Sequence, residues 1–353
     1  MNNKNITIAT IGSHSALEVA RGAKDEGFKN LIVAQKGREK TYANYYKTDG
    51  DLGCIDEVLL VDKFSDILKP VIQKKLIERN SIFIPNRSFE VYINDYDAIE
   101  KKFNVPMFGN KNLLRIEERG HKPNQYDLLD AASIRYPKIF KDPKKIDRLC
   151  IVKVLEKESE FERAFFIVDS YEDYVKQTEQ KMYIGLFTED QLKKAVIEEF
   201  IVGVQVNFNF FYSPLSDRLE LLGTDTRRQT NFEGITKLPI NYQEEVLKKI
   251  SISYDEASHT AVTVLESMLE EVFAIGERFV AASKKLTKPG VIGPFALQSF
   301  IIPGRPRKEI VVIDVSPRFP GSPGITATPY SGYLFGKSVN VGRRIAMEIK
   351  EAV

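Results

Sequence analysis

The chain has 353 residues, 43% hydrophobic and 28% charged, and its 51 basic and 49 acidic side chains leave a net charge of +2. The length exceeds a single hydrophobic core and points to two or three domains, and the charge balance argues against a nucleic-acid partner. No apolar run approaches the roughly 20 residues of a membrane span, and MNNKNITIATIG lacks the core and cleavage site of a secretory leader, so a soluble cytoplasmic protein is expected.

The first third reads as βαβ units. ITIATIG (6–12) is a strand, and the following segment opens a helix with Ser13 as N-cap and Gly27 as its stop. NLIVAQKG (30–37), DEVLLVD (56–62) and SIFIPN (81–86) are further strands, and FSDILKPVIQKKLIERN is a helix interrupted at Pro70. Short apolar strands alternating with helices predict a parallel doubly wound sheet, whose ligands sit at the carboxyl ends of the strands. From LCIVKVL (149–155) the strands lengthen and become aromatic: FERAFFIVD, VIEEFIVG, QVNFNFFYSP and RLELLGTD. They predict an antiparallel α+β arrangement, with helices over YEDYVKQTEQKMY, 263–287 and VGRRIAMEIKEAV.

The sharpest chemical signal is the strand pair GPFALQSFII (293–302) and EIVVIDVSPRF (309–319). A hairpin centred on Pro306 pairs Ile302 with Ile310 and sets Gln298 opposite Asp314, with Cβ atoms about 5 Å apart. Aspartate is depleted in strands. One carboxylate, an amide oxygen and nucleotide phosphates suit magnesium; the alternative is an edge hairpin with outward polar residues. Arg318, where the strand ends, would face a transferred phosphoryl group. Cys54 and Cys150 stand in unrelated contexts, and three histidines are too few for a His-rich centre, so any metal here is a hard cation.

Other candidates are more ambiguous. Lys153 lies in an apolar strand, where a lysine either meets a ligand or snorkels to solvent. Of the adjacent Glu198 and Glu199, only one can face a site, and the other is expected in solvent. Ser13, His14 and Ser15 stand where the first strand meets its helix, a place that favours an anion; His14 is either such a contact or a capping residue. Ser88 occupies the equivalent end of the fourth strand, as a ligand contact or an ordinary loop serine. Arg227 and Arg228, with Asp225, Gln229 and Asn231, form a polar turn that either clamps a carboxylate or phosphate or is solvated. The G-x-G-x-x-G fingerprint, the P-loop pattern and hydrolase triads are absent.

GSHSALEVARGAKDEGF, GRE-x-x-Y, VPMFGN, FFYSPLSDRLELLGTDTR, GPFALQSF and GRRIAMEIKEA together resemble the archaeal formate-dependent phosphoribosylaminoimidazolecarboxamide (AICAR) ligases, ATP-grasp enzymes of purine biosynthesis, over nearly the whole chain. The resemblance implies an α/β architecture, with a Rossmann-like pre-ATP-grasp domain (1–122), an ATP-grasp small lobe (123–200) and a large lobe with the metal site (201–353), assembled as a homo-oligomer. It implies that His14, Ser88 and His259 meet the AICAR-like nucleotide and that Lys153 meets the ATP phosphates. Glu199, Phe200, Ile201 and Val202 would form the adenine hinge, Gln229 would contact ATP, and Gln298 and Asp314 would hold Mg2+ or Mn2+. Arg227 and Arg318 remain the catalytic candidates.

The implied reaction uses ATP to convert formate to formyl phosphate, which then formylates AICAR to FAICAR on the way to IMP. No nucleic acid or membrane takes part. Three departures stand out: LEKESEFERAFF (155–166), with Arg163, replaces a glycine-rich loop; His259 replaces an asparagine; and PRFPGSPGITATPY replaces a more glycine-rich segment. They leave open a ligase of the same fold with other substrates, or a non-catalytic nucleotide-binding paralogue.

Overall fold

The structure, a computed structural model, describes residues 6–154, 165–253, 256–304 and 307–353. Most of LEKESEFERAFF, Arg163 included, and Pro306 lie outside the described residues. The chain opens with β1 (Thr7–Ile11), α1 (Ala16–Asp25), β2 (Lys29–Gln35), β3 (Glu57–Val61), α2 (Pro70–Glu78) and β4 (Ser81–Phe83). These four strands form one parallel sheet in the order β3-β2-β1-β4.

Two local expectations need correction. Pro70 does not interrupt a helix; it starts one, after a 3-10 turn at Phe64–Leu68, and its missing N–H is harmless at that first position. Ser13 is not the N-cap of α1. Ser15 precedes the helix, and His14 and Ser15 both adopt positive φ, 44° and 68°. Two such non-glycine residues in succession store about 1–3 kcal/mol each, at the carboxyl end of β1 where ligands of these sheets bind.

Helices α3 (Arg87–Ile93) and α4 (Tyr96–Lys102) begin on Asn86 and Asp95, whose side chains accept from the N–H of Phe89 and Ala98. After α5 (Gln125–Ala131) comes an antiparallel sheet of β5 (Ile139–Phe140), β6 (Cys150–Lys153), β7 (Phe165–Val168) and β8 (Val196–Glu199), in the order β5-β8-β6-β7. Helices α6 (Tyr171–Tyr183) and α7 (Glu189–Leu192) lie between β7 and β8. The largest sheet is built from β9 (Val204–Ser213), β10 (Arg218–Arg228), β11 (Ser258–Ala261), β12 (Gly293–Ile302) and β13 (Glu309–Ser316). Its order is β11-β10-β9-β12-β13, all antiparallel. Helices α8 (Phe232–Ile235) and α9 (Ile240–Leu247) precede β11, α10 (Leu269–Leu286) precedes β12, and α11 (Tyr330–Phe335) and α12 (Val341–Ala352) close the chain.

The large sheet has two unlike faces. Phe208, Phe210, Phe295, Leu297, Val312 and Val315 pack on the stripe Val272, Ile275, Phe279 of α10, at the spacing that makes one helix face apolar. Phe295 stacks between Phe210 and Phe279 at centroid distances of 5.1 and 4.8 Å. Each such side chain contributes about 1.5–3 kcal/mol by burial. Leu113, Ile116, Leu128 and Leu129 join the same core, so α5 and the chain before it are fixed to the large sheet. Alternation along the strands then sends the intervening residues to the other face, which carries the site.

The C-terminal helix returns to the first sheet. α12 crosses α1 at two glycines: a Cβ on Gly22 would lie 2.1 Å from Arg343 N, and one on Gly342 would lie 2.3 Å from Glu18 O. The backbones touch, and Glu18 is buried in the seam, where it accepts from Val341 N at 3.0 Å through Oε1 while Oε2 has no partner among the described residues. Burial pushes its carboxyl up to about 8 from the ordinary 4.5, against two opposing backbone hydrogen bonds. Between these values the folded protein keeps a proton that the unfolded chain releases, so this contribution is full below the unfolded value and is lost as pH rises through the folded one. Glu18→Gln keeps the shape and removes the titration. Its thermal midpoint should match the wild type near pH 5 and exceed it by a few degrees near pH 8.5; equal midpoints at both pH values would refute the buried-proton account.

Candidate active site

Two β-bulges shape the polar face of the large sheet. On β10 the pairing with β9 slips between Leu221 and Gly223, and on β13 the pairing with β12 slips after Gln298. Bulges re-aim side chains beside sites. Here they bring Asp314 opposite Gln298, Gln298 opposite Asn207, and Asn207 opposite Asp225, one polar row across four strands. The expected Gln298–Asp314 juxtaposition is therefore present, with Gln298 Nε2 donating to Asp314 Oδ2 at 3.0 Å. The hairpin register behind it needs correction, because Ile302 pairs with Glu309 and Ile301 with Ile310. Only the extra residue at Ile313 returns Asp314 to Gln298.

The row continues toward β11. Asp225 is fully buried; it accepts from Asn207 Nδ2 at 3.0 Å and Asn209 Nδ2 at 2.7 Å, and meets His259 Nδ1 at 2.6 Å. Burial pushes the Asp225 carboxyl up, but the bonds from His259, Asn209 and Asn207 outweigh it and hold it below its usual range. His259 Nε2 lies 2.9 Å from Glu256 Oε1, and Arg227 Nη1 lies 3.2 Å from Glu256 Oε2. Burial pulls the His259 imidazole down, yet Asp225 and Glu256 carry it up to about 9, so it is a cation at neutral pH. The supposed polar turn 223–234 is thus corrected: β10 runs on to Arg228, with Arg227 on the site face and Arg228 bound to Glu233 on the other. Gln229 is half-buried just past the strand's end.

His14 faces this group from the first sheet. Its ring packs so closely on Gly321 that a Cβ there would fall 2.2 Å from Nε2. The residue keeps part of its surface exposed. Burial, then the charges of Arg318, Arg227 and His259, hold its pKa down at about 4 against the opposing pull of Glu256, so it is neutral at pH 7. Asn86 ties the two sheets together: Nδ2 donates to Ile11 O at 3.2 Å and Ser13 O at 3.1 Å, and its backbone bridges to Phe319. Ser88 is buried one residue into α3.

At the opposite end of the row, Lys153 on β6 sets its Nζ 2.7 Å from Glu198 Oε2. Glu198 also accepts from Tyr126 Oη at 3.2 Å. Arg119 spans the gap, 3.7 Å from Glu198 and 3.9 Å from Asp314, and donates to Ile313 O at 3.2 Å. Of the acidic pair, Glu198 is therefore the residue facing Lys153. Glu199 points the other way and is not solvated: Arg135 and Arg148 grip it at 3.3 and 3.4 Å. Phe200, Ile201 and Val202 form the extended crossover between β8 and β9, alternately exposed, buried and exposed.

Arg318 also departs from expectation. Its guanidinium is buried and already bound, with Nε 3.2 Å from Glu90 Oε2, Nη2 2.8 Å from Glu117 Oε1 and Nη1 donating to Phe319 O at 3.2 Å. It braces the segment after β13 rather than facing the cleft. The residues not anticipated are Asn207, Asn209, Arg119 and Glu256; the alternation N-F-N-F in β9 is the one sequence signal that marks two of them.

Among the described residues, no group of three His, Cys, Asp or Glu side chains stands ready for a metal. Asp314 with the Gln298 amide oxygen nonetheless fits a magnesium ion that completes its shell with phosphate oxygens and water. Arg119, 3.9 Å from Asp314, and Lys153, paired with the same Glu198 as Arg119, supply positive charge that fits the phosphates.

Solved structures with related folds include the ADP complex of purK, an N5-carboxyaminoimidazole ribonucleotide synthetase, with a TM-score of 0.57, 12% identity and coverage of 93% of this chain and 74% of that one. The fold is that of the ATP-grasp enzymes, preceded by a Rossmann-like unit. An IMP biosynthesis protein PurP from Thermococcus kodakaraensis superposes with a TM-score of 0.71 at 27% identity, covering 98% of this chain and 96% of that one. Two family models match, "Protein of unknown function (DUF1246)" over residues 8–140 and "Domain of unknown function (DUF1297)" over residues 173–353. The chain is 37% identical to a relative from Methanosphaera stadtmanae, over 99% of this chain and 92% of the relative, and 38% identical to one from Methanocaldococcus jannaschii, over 100% and 93%. The chain belongs to the family of these relatives, the 5-formaminoimidazole-4-carboxamide-1-(beta)-D-ribofuranosyl 5'-monophosphate synthetases.

Proposed function

We propose that the protein is the ATP- and formate-dependent ligase that formylates AICAR to FAICAR in IMP biosynthesis. The observation that carries this reading is the polar row from Asp314 to His259, which joins a phosphate-binding end at Lys153 and Arg119 to a substrate end at His14 and Arg227. Full-length identity of 37–38% to named synthetases supports it.

A formate oxygen attacks the γ-phosphorus of ATP and the bond to ADP breaks. The substrate amine then attacks the formyl carbon, phosphate leaves, and the amine gives up a proton. Magnesium, when bound, neutralises phosphate charge. Lys153 and Arg119 hold the phosphates from two sides, and the partners Glu198 and Ile313 O fix both cations before the substrate arrives. His14, Ser88 and His259 receive the nucleotide, the stretch Glu199–Val202 with Gln229 receives ATP, and Gln298 with Asp314 receives Mg2+ or Mn2+. The same reading carries a homo-oligomer: α9 leaves Ile240, Tyr242 and Leu247 exposed and buries none of its side chains. No helix among the described residues is long and apolar enough to cross a membrane.

The decisive assay incubates the protein with Mg-ATP and AICAR, with and without formate, and follows ADP and phosphate. Formate-dependent ADP release is expected. Release only with other substrate pairs sinks the assignment, and so does binding without turnover. In the same assay His14→Ala should raise the apparent Michaelis constant for the nucleotide about tenfold or more while leaving that for ATP nearly unchanged, the signature of lost ground-state binding at one subsite. Equal effects on both would remove His14 from the nucleotide site.

A further inference from the structure

Arg227 on β10 and His259 on β11 are directly opposed cross-strand partners. Two cations in that position repel each other. One carboxylate relieves the repulsion: Glu256 gives Oε1 to His259 at 2.9 Å and Oε2 to Arg227 at 3.2 Å, one oxygen to each cation. His259 cannot turn aside, because Nδ1 is held 2.6 Å from Asp225, itself fixed by Asn207 and Asn209 in the buried face.

The pair of cations is therefore rigid and preset, whereas its anion is not. Glu256 lies outside the strand, and its side chain is more than a third exposed. Its carboxylate also leaves a donor unused, since Arg227 Nε is buried without a partner among the described residues. The group stands near enough to His14 for Glu256, Arg227 and His259 all to act on its charge.

We propose that Arg227 and His259 form an oxyanion clamp for a substrate group, and that Glu256 fills it in the free protein as an internal counter-ion that the substrate displaces. The proposal rests on the ligase reading and names the chemistry of one subsite: a carboxylate or phosphoryl oxyanion bound one oxygen per cation, with a further donor at Arg227 Nε. Both substrates of that reading carry such a group, formate in its carboxylate and the ribonucleotide in its 5'-phosphate. Glu256 swings to water at small cost because it already reaches solvent. Its departure leaves Arg227 without its carboxylate and frees His259 Nε2, while Asp225 keeps Nδ1, which favours the incoming anion over any neutral molecule of similar size.

The test is calorimetric titration of the full-length protein, without ATP, with formate and separately with ribose 5-phosphate. Wild type, Glu256→Gln and Glu256→Ala are compared; alanine guards against an amide oxygen that re-enters the clamp, and against a variant that fails to fold. Removing an internal competitor raises apparent affinity by the fraction of clamp it occupied, here about tenfold. Tighter binding of one probe supports the clamp and identifies the source of the oxyanion, and adding Arg227→Ala should abolish the gain. Unchanged or weaker binding of both probes in both Glu256 variants overturns it. Because the readout needs no turnover, tighter binding in a protein that releases no ADP would keep the clamp and discard the ligase reading; formate-dependent ADP release without tighter binding would do the reverse.

Discussion

Asp314→Asn should lower turnover by roughly 10²–10³-fold, the cost of losing one preorganised electrostatic partner in a closed site. The side chain stands opposite Gln298, bonded to its amide at 3.0 Å, and supplies the only formal negative charge of that pair. Asparagine keeps the shape and a hydrogen bond to Gln298 but carries no charge for a divalent ion. Arg119, 3.9 Å away, then dominates the local field and disfavours a cation further. Stability should change by no more than about 1 kcal/mol, the worth of one hydrogen bond. Two measurements check this: steady-state rates across a magnesium series, and Mn2+ binding followed by electron spin resonance in the presence of nucleotide. Wild-type turnover and wild-type Mn2+ affinity in the variant would remove Asp314 from the metal site.

The Gln298–Asp314 pair was legible in the sequence, but through a register that holds from Ala296 to Gln298 and fails from Ser299 to Ile302. A symmetric hairpin gives the right opposition at Asp314 and the wrong one at Ile302, because the bulge at Ile313 depends on the twist of the whole sheet and leaves no local mark. The parallel first sheet was legible because its central strands β1 and β2 are buried on both faces and read as plain apolar runs between helices. Asp225 and Arg227 were misread as a turn because polarity ordinarily signals a loop; here a functional face places charged side chains in the middle of a sheet, a local rule broken at a site. Alternation allowed only one of Glu198 and Glu199 to face Lys153, but the choice depends on which side of the small sheet the large one lies. The seam of α12 on α1 joins Glu18 to Val341, 323 positions apart, and no periodicity reports a contact of that range.

Arg318→Met separates a bracing role from a catalytic one, and bracing predicts the larger change in stability. Arg318 lies between two buried carboxylates, Glu90 and Glu117, with Arg87 on the outer side, 3.5 Å from Glu90 and 3.3 Å from Glu117. Among the described residues Glu90 Oε1 and Glu117 Oε2 already lack partners, so the network is incomplete even with Arg318 in place. Burial pushes both carboxyls up, helped at Glu90 by the charge of Glu117 and at Glu117 by that of Asp314, against the pull of Arg318 and Arg87. Removing the central cation strands both carboxylates, a change that typically costs about 3–5 kcal/mol.

The folded variant must keep both acids protonated at a pH where the unfolded chain has released those protons. The loss should therefore be smaller near pH 5 and grow as pH rises past 8, which denaturant titrations at the two pH values would read. Adding Glu90→Gln removes one buried acid and should recover part of the stability at the higher pH. Methionine fills the volume, so a cavity does not account for the loss. The seam at Asn86 and Phe319, which holds β1 and β4 against the segment after β13, would loosen with it, and the nucleotide Michaelis constant would rise through His14. A variant of wild-type stability with abolished turnover would show the opposite, a guanidinium that leaves Glu90 and Glu117 to meet the transferred phosphoryl group.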